Sequence, residues 1–281
     1  MRTRKRFGQH FLENAWADKV VAAIAPQASD RFVEIGPGPG ALTFRLAPRV
    51  AHLTAIEVDR DIAADLRPAL PDHVSLVVAN VLDVDLVSLA ETPFRVAGNL
   101  PYNISTPILF RLIEAARSCG SLPAEAGSDA IPRFDDPAIL DATLMVQREV
   151  ADRLEAVPGT GDYGVLSISV QLHADVRRLL ALPPGAFRPA PKVHSAVVRL
   201  RFRPPSVSIG DERHFEAMVR SMFTQRRKTL SNALASFAGE RGQRAGDVLR
   251  AAGVDSSRRP ETLTLDELAR LAAGFATPRS A

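Results

Sequence analysis

Hydrophobic and polar positions alternate by a regular scheme over the first two thirds of the chain. Residues 14–25 place Trp16, Val20, Val21 and Ile24 at helical spacing and stop at Pro26, which predicts an amphipathic helix. Short apolar runs follow at 32–35, 53–58, 75–79, 95–98 and 144–147, each reading as a buried parallel strand. Residues 61–70 and 107–117 lie between them with helical periodicity. This alternation predicts an α/β fold, a doubly wound, mostly parallel sheet that binds ligands beyond the carboxyl ends of its strands. Residues 176–182 and 195–202 are expected to pair as an antiparallel edge, with 183–192 looping between them. Pro204-Pro205 marks a domain boundary, giving domains 1–203 and 204–281. Helical stretches at 211–238, 243–252 and 264–274 make the second a small α-helical domain. Residues 118–137, rich in Gly, Ser, Pro, Ala and Asp, have no periodicity and read as a surface insertion.

Composition narrows the class. The 281 residues are 46% hydrophobic and 24% charged, which excludes disordered, collagen-like and disulfide-rich chains. Cys119 is the single cysteine, so a reducing cytoplasm is expected and no cysteine metal site. His173, His194 and His214 are not at ligand spacing either, so no metal is inferred. No run approaches the roughly 20 apolar residues of a membrane span. Glu13 and Asp18 interrupt the apolar stretch after the basic N-terminus, which argues against a signal peptide. The net charge of +3 is a cancellation. From Gly185 onward there are 17 Lys+Arg against 9 Asp+Glu, whereas residues 1–184 hold 18 against 23. Positive charge also starts the chain, at Arg2, Arg4, Lys5 and Arg6.

Residues 34–40 (EIGPGPG) follow a predicted strand and open a helix. Three glycines in five residues suit a loop whose backbone approaches a ligand. Residues 36–41 also fit a dinucleotide fingerprint, and Glu57 stands where a carboxylate grips two ribose hydroxyls. NAD and S-adenosylmethionine share that ribose. The acidic Glu34 and the E-x-G-x-G-x-G spacing favour S-adenosylmethionine, which has no pyrophosphate.

Asn99-Leu100-Pro101-Tyr102, at the end of the fourth strand, has a different chemistry. The amine of adenine is a poor nucleophile because its lone pair is delocalised into the ring. An Asn oxygen and a backbone carbonyl can each accept one N6 hydrogen, which draws the nitrogen towards tetrahedral geometry and frees the lone pair. Pro101 helps present the neighbouring carbonyl, and Tyr102 offers a face to a flipped base. A dehydrogenase has no use for such a loop.

Five segments occur in order: residues 6–12 (RFGQHFL), 34–40, 99–107 (NLPYNISTP), 187–197 (FRPAPKVHSAV) and 225–230 (QRRKTL). Together they resemble the ribosomal RNA adenine dimethyltransferase family, in particular its small-subunit branch, over nearly the whole chain. The resemblance implies a class I S-adenosylmethionine-dependent methyltransferase, Rossmann-like, acting on N6 of two adjacent adenosines near the 3′ end of 16S rRNA. On it, His10, Leu12, Gly36, Glu57, Asn80 and Asn99 would meet the cofactor, with Asn99 also touching the target amine. Tyr102 and Phe187 are the aromatics expected to sandwich the target base. Phe187, flanked by Pro183, Pro184, Pro189 and Pro191, reads as an aromatic presented on a stiff loop.

Two departures from the family stand out. Asn80 replaces a usual Asp, with Asp83 close enough in sequence to substitute, and the 118–137 insertion is long. Many members carry Asn where this chain has His10, so hydrogen bonding suits His10 better than acid–base work. Arg4, Lys5, Arg6, Lys192, Arg226, Arg227 and Lys228 are the expected phosphate contacts. The expected state is a cytoplasmic monomer without metal. Methylation of 23S rRNA in the antibiotic-resistance branch is the alternative, as is an assembly factor whose catalysis is dispensable.

Overall fold

The computed structural model describes residues 10–90, 93–118 and 138–276; residues 119–137 of the expected insertion and the basic start at Arg2–Arg6 lie outside the described residues. In chain order the elements are β1 (Phe11–Leu12), α1 (Asn14–Ile24), β2 (Arg31–Ile35), α2 (Thr43–Leu46), β3 (His52–Glu57), α3 (Arg60–Leu66), β4 (Val74–Val78), β5 (Phe94–Asn99) and α4 (Ser105–Ser118). There follow β6 (Ile139–Gln147), α5 (Arg148–Glu155), α6 (Val165–His173), β7 (Ala174–Leu182), β8 (Phe187–Arg188) and β9 (Ser195–Phe202). The chain then forms α7 (Glu212–Thr224), α8 (Leu230–Ala233), α9 (Ala235–Gly239), α10 (Ala245–Ala251) and α11 (Leu265–Phe275).

The first of two compact units, residues 1–151 and 174–203, is built on a seven-stranded sheet of order β4-β3-β2-β5-β6-β9-β7. β2 through β6 run parallel, and β9 and β7 add an antiparallel edge. β2 and β5 are buried almost continuously, the mark of strands covered on both faces, while the edge strand β7 is only partly buried. Strand order reverses between β2 and β5, and their carboxyl ends carry the 36–40 loop and Asn99. That is the switch point at which open α/β sheets bind ligands. α1 buries Ala17, Val20, Val21 and Ile24 and ends at Ala25, whose φ is +50°. At the opposite end of the strands, the buried Arg95 guanidinium is matched by Asp30, Asp141 and the carbonyls of Ile24 and Ala25. Every donor group of that arginine thus meets an acceptor, which makes its burial tolerable.

The second unit comprises residues 152–173 and 204–281. The sequence boundary at 203/204 left 152–173 in the first domain. In the structure Tyr163, Ile168 and Leu172 instead share a core with Phe215, Met222, Phe237 and Phe275. Apolar residues bunched at 163–172 carry no feature naming the core they join. The single helix expected at 211–238 is broken after Thr224, and the Leu230 and Ser231 amides turn to the carbonyls of Arg258 and Ser256. α11 opens on a capping box between Thr264 and Glu267.

Candidate active site

One cleft of the first unit is lined by His10, Leu12, Glu34, Gly36, Glu57, Asn80, Asn99, Leu100, Pro101 and Tyr102 among others. Three parallel strands deliver most of them: β2 ends at the glycine loop, β3 at Glu57 and β5 at Asn99. The loop needs its glycines. Gly36, Gly38 and Gly40 have φ of +67°, +55° and +89°, a region that side chains rarely tolerate. A Cβ on Gly38 would also stand 3.1 Å from the ring of Phe11.

Glu57 is 3% exposed, yet both carboxylate oxygens have donors: Gly38 N at 3.1 Å and Asp59 N at 2.9 Å. Burial pushes its pKa up, against the pull of those two amides. Two of its roughly four acceptor sites are used, leaving two towards the cleft. Glu34 is 2% exposed, and burial raises its pKa to about 7, helped by the neighbouring Glu57 charge and opposed by nearby Thr43. Neither Glu34 Oε2 nor the Thr43 hydroxyl has a partner in hydrogen-bonding geometry among the described residues. An unpartnered buried carboxylate oxygen in the wall suits a cationic ligand. With Glu57 facing the same space, the donor set fits S-adenosylmethionine.

Asn99 donates its side-chain amide to the carbonyl of His10 at 2.7 Å, and among the described residues no donor meets its Oδ1. The His10 ring stacks on Tyr102 with centroids 5.4 Å apart, and its Nδ1 lies 2.7 Å from the Pro189 carbonyl. The Tyr102 hydroxyl lies 2.7 Å from Ser195 Oγ. Ser195 was not singled out from the sequence, although the 187–197 segment contains it. Asn80 donates to the Asp83 carboxylate at 2.9 Å and accepts from Leu82 N. Asp83 is not among the lining residues; it holds Asn80 instead.

The expectation for Phe187 is corrected. Its side chain is fully buried, pairs through β8 with Leu12 of β1, and packs in the core with Val20, Leu182 and Val197. The surrounding prolines do stiffen the loop, but in this structure the ring is enclosed in the core and does not line the cleft.

A model of the family described as ribosomal RNA adenine dimethylase matches residues 1–271. The chain belongs to that family. Ribosomal RNA small subunit methyltransferase A of Xanthomonas oryzae pv. oryzae is 43% identical over 274 residues, covering 96% of this chain and 95% of that protein. The crystal structure of a dimethyladenosine transferase from Plasmodium falciparum superimposes with TM-score 0.74 at 23% identity, covering 93% and 96% of the two chains. That of the 23S rRNA methyltransferase ErmE does so with TM-score 0.65 at 25% identity over 94% and 99%. The doubly wound fold expected from the sequence is thus that of the dimethylase family.

Among the expected phosphate contacts, Arg4, Lys5 and Arg6 lie outside the described residues. Lys192, Arg227 and Lys228 are exposed. Arg226 is engaged within its own unit, donating to the carbonyls of Gly161 at 2.6 Å and Thr160 at 3.3 Å. Among the described residues no group of three or more His, Cys, Asp or Glu is arranged to hold a metal, and no helix is long and apolar enough to cross a membrane.

Proposed function

We propose that the protein transfers methyl groups from S-adenosylmethionine to N6 of two adjacent adenosines in the 3′-terminal hairpin of 16S rRNA, giving N6,N6-dimethyladenosine in the small ribosomal subunit. The observation that carries this reading is the convergence of Glu57, the glycine loop and an amide-fixed Asn99 on one cleft. The family and the small-subunit name of the relative support the choice of RNA.

When bound, S-adenosylmethionine supplies an electrophilic methyl on a sulfonium. The remaining acceptor sites on the Glu57 oxygens take the ribose hydroxyls, and Asn80 meets the adenine end. Asn99 Oδ1 and the Leu100 carbonyl accept the two N6 hydrogens of the target, and Tyr102 supports its ring. Pro101, lacking an N–H, helps turn that carbonyl outward. No strong base is required, because the alkylated nitrogen is acidic and releases its proton to water; catalysis is positioning and electrostatics. Lys192, Arg227 and Lys228 contact phosphates. The acting species is a cytoplasmic monomer.

Labelled S-adenosylmethionine offered with unmethylated small subunits, large subunits or naked rRNA, followed by mapping of the product, tests this. Label at adjacent adenosines of the small subunit is expected. Label confined to large-subunit RNA, the chemistry of the ErmE neighbour, would overturn it, as would no transfer to any substrate.

A further inference from the structure

The 187–197 segment reaches the cleft by a route other than Phe187. Its loop grips Tyr102 at two points. The Pro189 carbonyl holds the His10 ring, which is stacked on Tyr102, and Ser195 Oγ holds the Tyr102 hydroxyl. We propose that Ser195 is a positioning residue for methyl transfer, fixing through the Tyr102 hydroxyl the aromatic face that receives the target base. This rests on the role given to Tyr102 above.

The argument is one of rigidity. Ser195 opens β9, which lies between β6 and β7 and is bonded to both; it is opposite Gln147 on one side and Leu182 on the other. It is 2% exposed, so its hydroxyl position is set by the sheet. Tyr102 sits on the loop after β5, between Asn99 and the start of α4. There the ring has freedom that a backbone ladder does not remove. A 2.7 Å O–H···O contact is at the optimum for hydroxyl pairs and pins the far end of the ring. A phenol is protonated at neutral pH in any case, and burial pushes its pKa further up, so the contact is between two neutral hydroxyls. Removing the serine hydroxyl leaves the half-buried phenol without that partner, and the ring must shift to find another.

The test is a double-mutant cycle on the full-length protein with unmethylated small subunits and labelled S-adenosylmethionine. Ser195→Ala and Tyr102→Phe delete the same bond from its two ends. Each is expected to lower kcat about fivefold, the rate equivalent of one ordinary hydrogen bond. The double variant should lose no more than either single one, because the bond can be lost only once. The dissociation constant for S-adenosylmethionine, measured by calorimetry, should stay within about twofold, which separates positioning from general damage to the fold. Wild-type kcat in Ser195→Ala would overturn the proposal, as would independent losses that multiply in the double variant. Should Ser195→Ala fail to fold, Tyr102→Phe with wild-type kcat overturns it alone. Tyr102→Ala separates the layers. If it leaves kcat unchanged, the role of Tyr102 itself fails; if it is inactive while Ser195→Ala is wild-type, only the serine inference falls.

Discussion

Glu34→Gln should stabilise the protein, and by an amount that depends on pH. Burial holds the Glu34 pKa at about 7, against an ordinary glutamate value of 4.5. The sign follows from proton counting. Between those two values the folded chain keeps a proton that the unfolded chain has released, so stability falls as pH rises through the window and levels off above it. Each pKa unit is worth about 1.4 kcal/mol, so the ionised carboxylate costs about 3 kcal/mol at pH 8 and nothing at pH 4. Glutamine has the same shape and cannot titrate. Glu57 titrates in both proteins and largely drops out of the difference. Thermal melts of wild type and variant from pH 4 to 8 read the effect. The variant should gain roughly 6–12 °C in the first unit's transition above pH 7 and almost nothing near pH 4. A constant offset at all pH values, or a gain only at low pH, would refute the burial argument. A carboxylate that costs the fold stability at neutral pH marks a functional position, and cofactor binding should weaken in the same variant.

Other outcomes follow from the same geometry. In Gly98→Ala a Cβ would stand 2.6 Å from the Ile35 carbonyl oxygen, a backbone atom that cannot swing away. A loss of about 1–3 kcal/mol in urea unfolding is expected from such overpacking. Asn80→Asp would place a second carboxylate against Asp83, which now accepts the Asn80 amide at 2.9 Å. The variant should gain little cofactor affinity by calorimetry unless Asp83→Asn accompanies it. Arg227→Ala with Lys228→Ala removes two exposed cations, so the salt slope of RNA binding should fall by about 2, with cofactor affinity unchanged. An unchanged slope would remove them from the phosphate contacts.

Residue order carried much of this molecule. Runs of β-branched and aliphatic residues fit strands covered on both faces, and their alternation with helical stretches over 32–98 favours the parallel arrangement, in which each crossover helix covers the sheet. The three glycines at 36, 38 and 40 and the Asn99–Tyr102 turn are local devices whose backbone demands can be read without knowing the neighbours. The five ordered motifs carried the family as well.

What escaped was non-local. Phe187 and Ser195 lie in one segment, and nothing in its prolines says which side chain turns to the core and which to the cleft. Pairing of β8 with β1 buries the first, and the register of β9 between β6 and β7 aims the second at Tyr102. Nothing in the sequences of the helices at 148–173 names the core they join, and only packing assigns most of them to the second unit. The exposed-looking Arg226 is likewise tied by carbonyls some 65 residues earlier in the chain. Sequence determined the local conformations and the ligand chemistry, because those depend on neighbouring residues and on the groups themselves. The tertiary structure alone decided which faces meet, because burial and hydrogen bonding between distant segments are settled only when the whole chain competes for the same core.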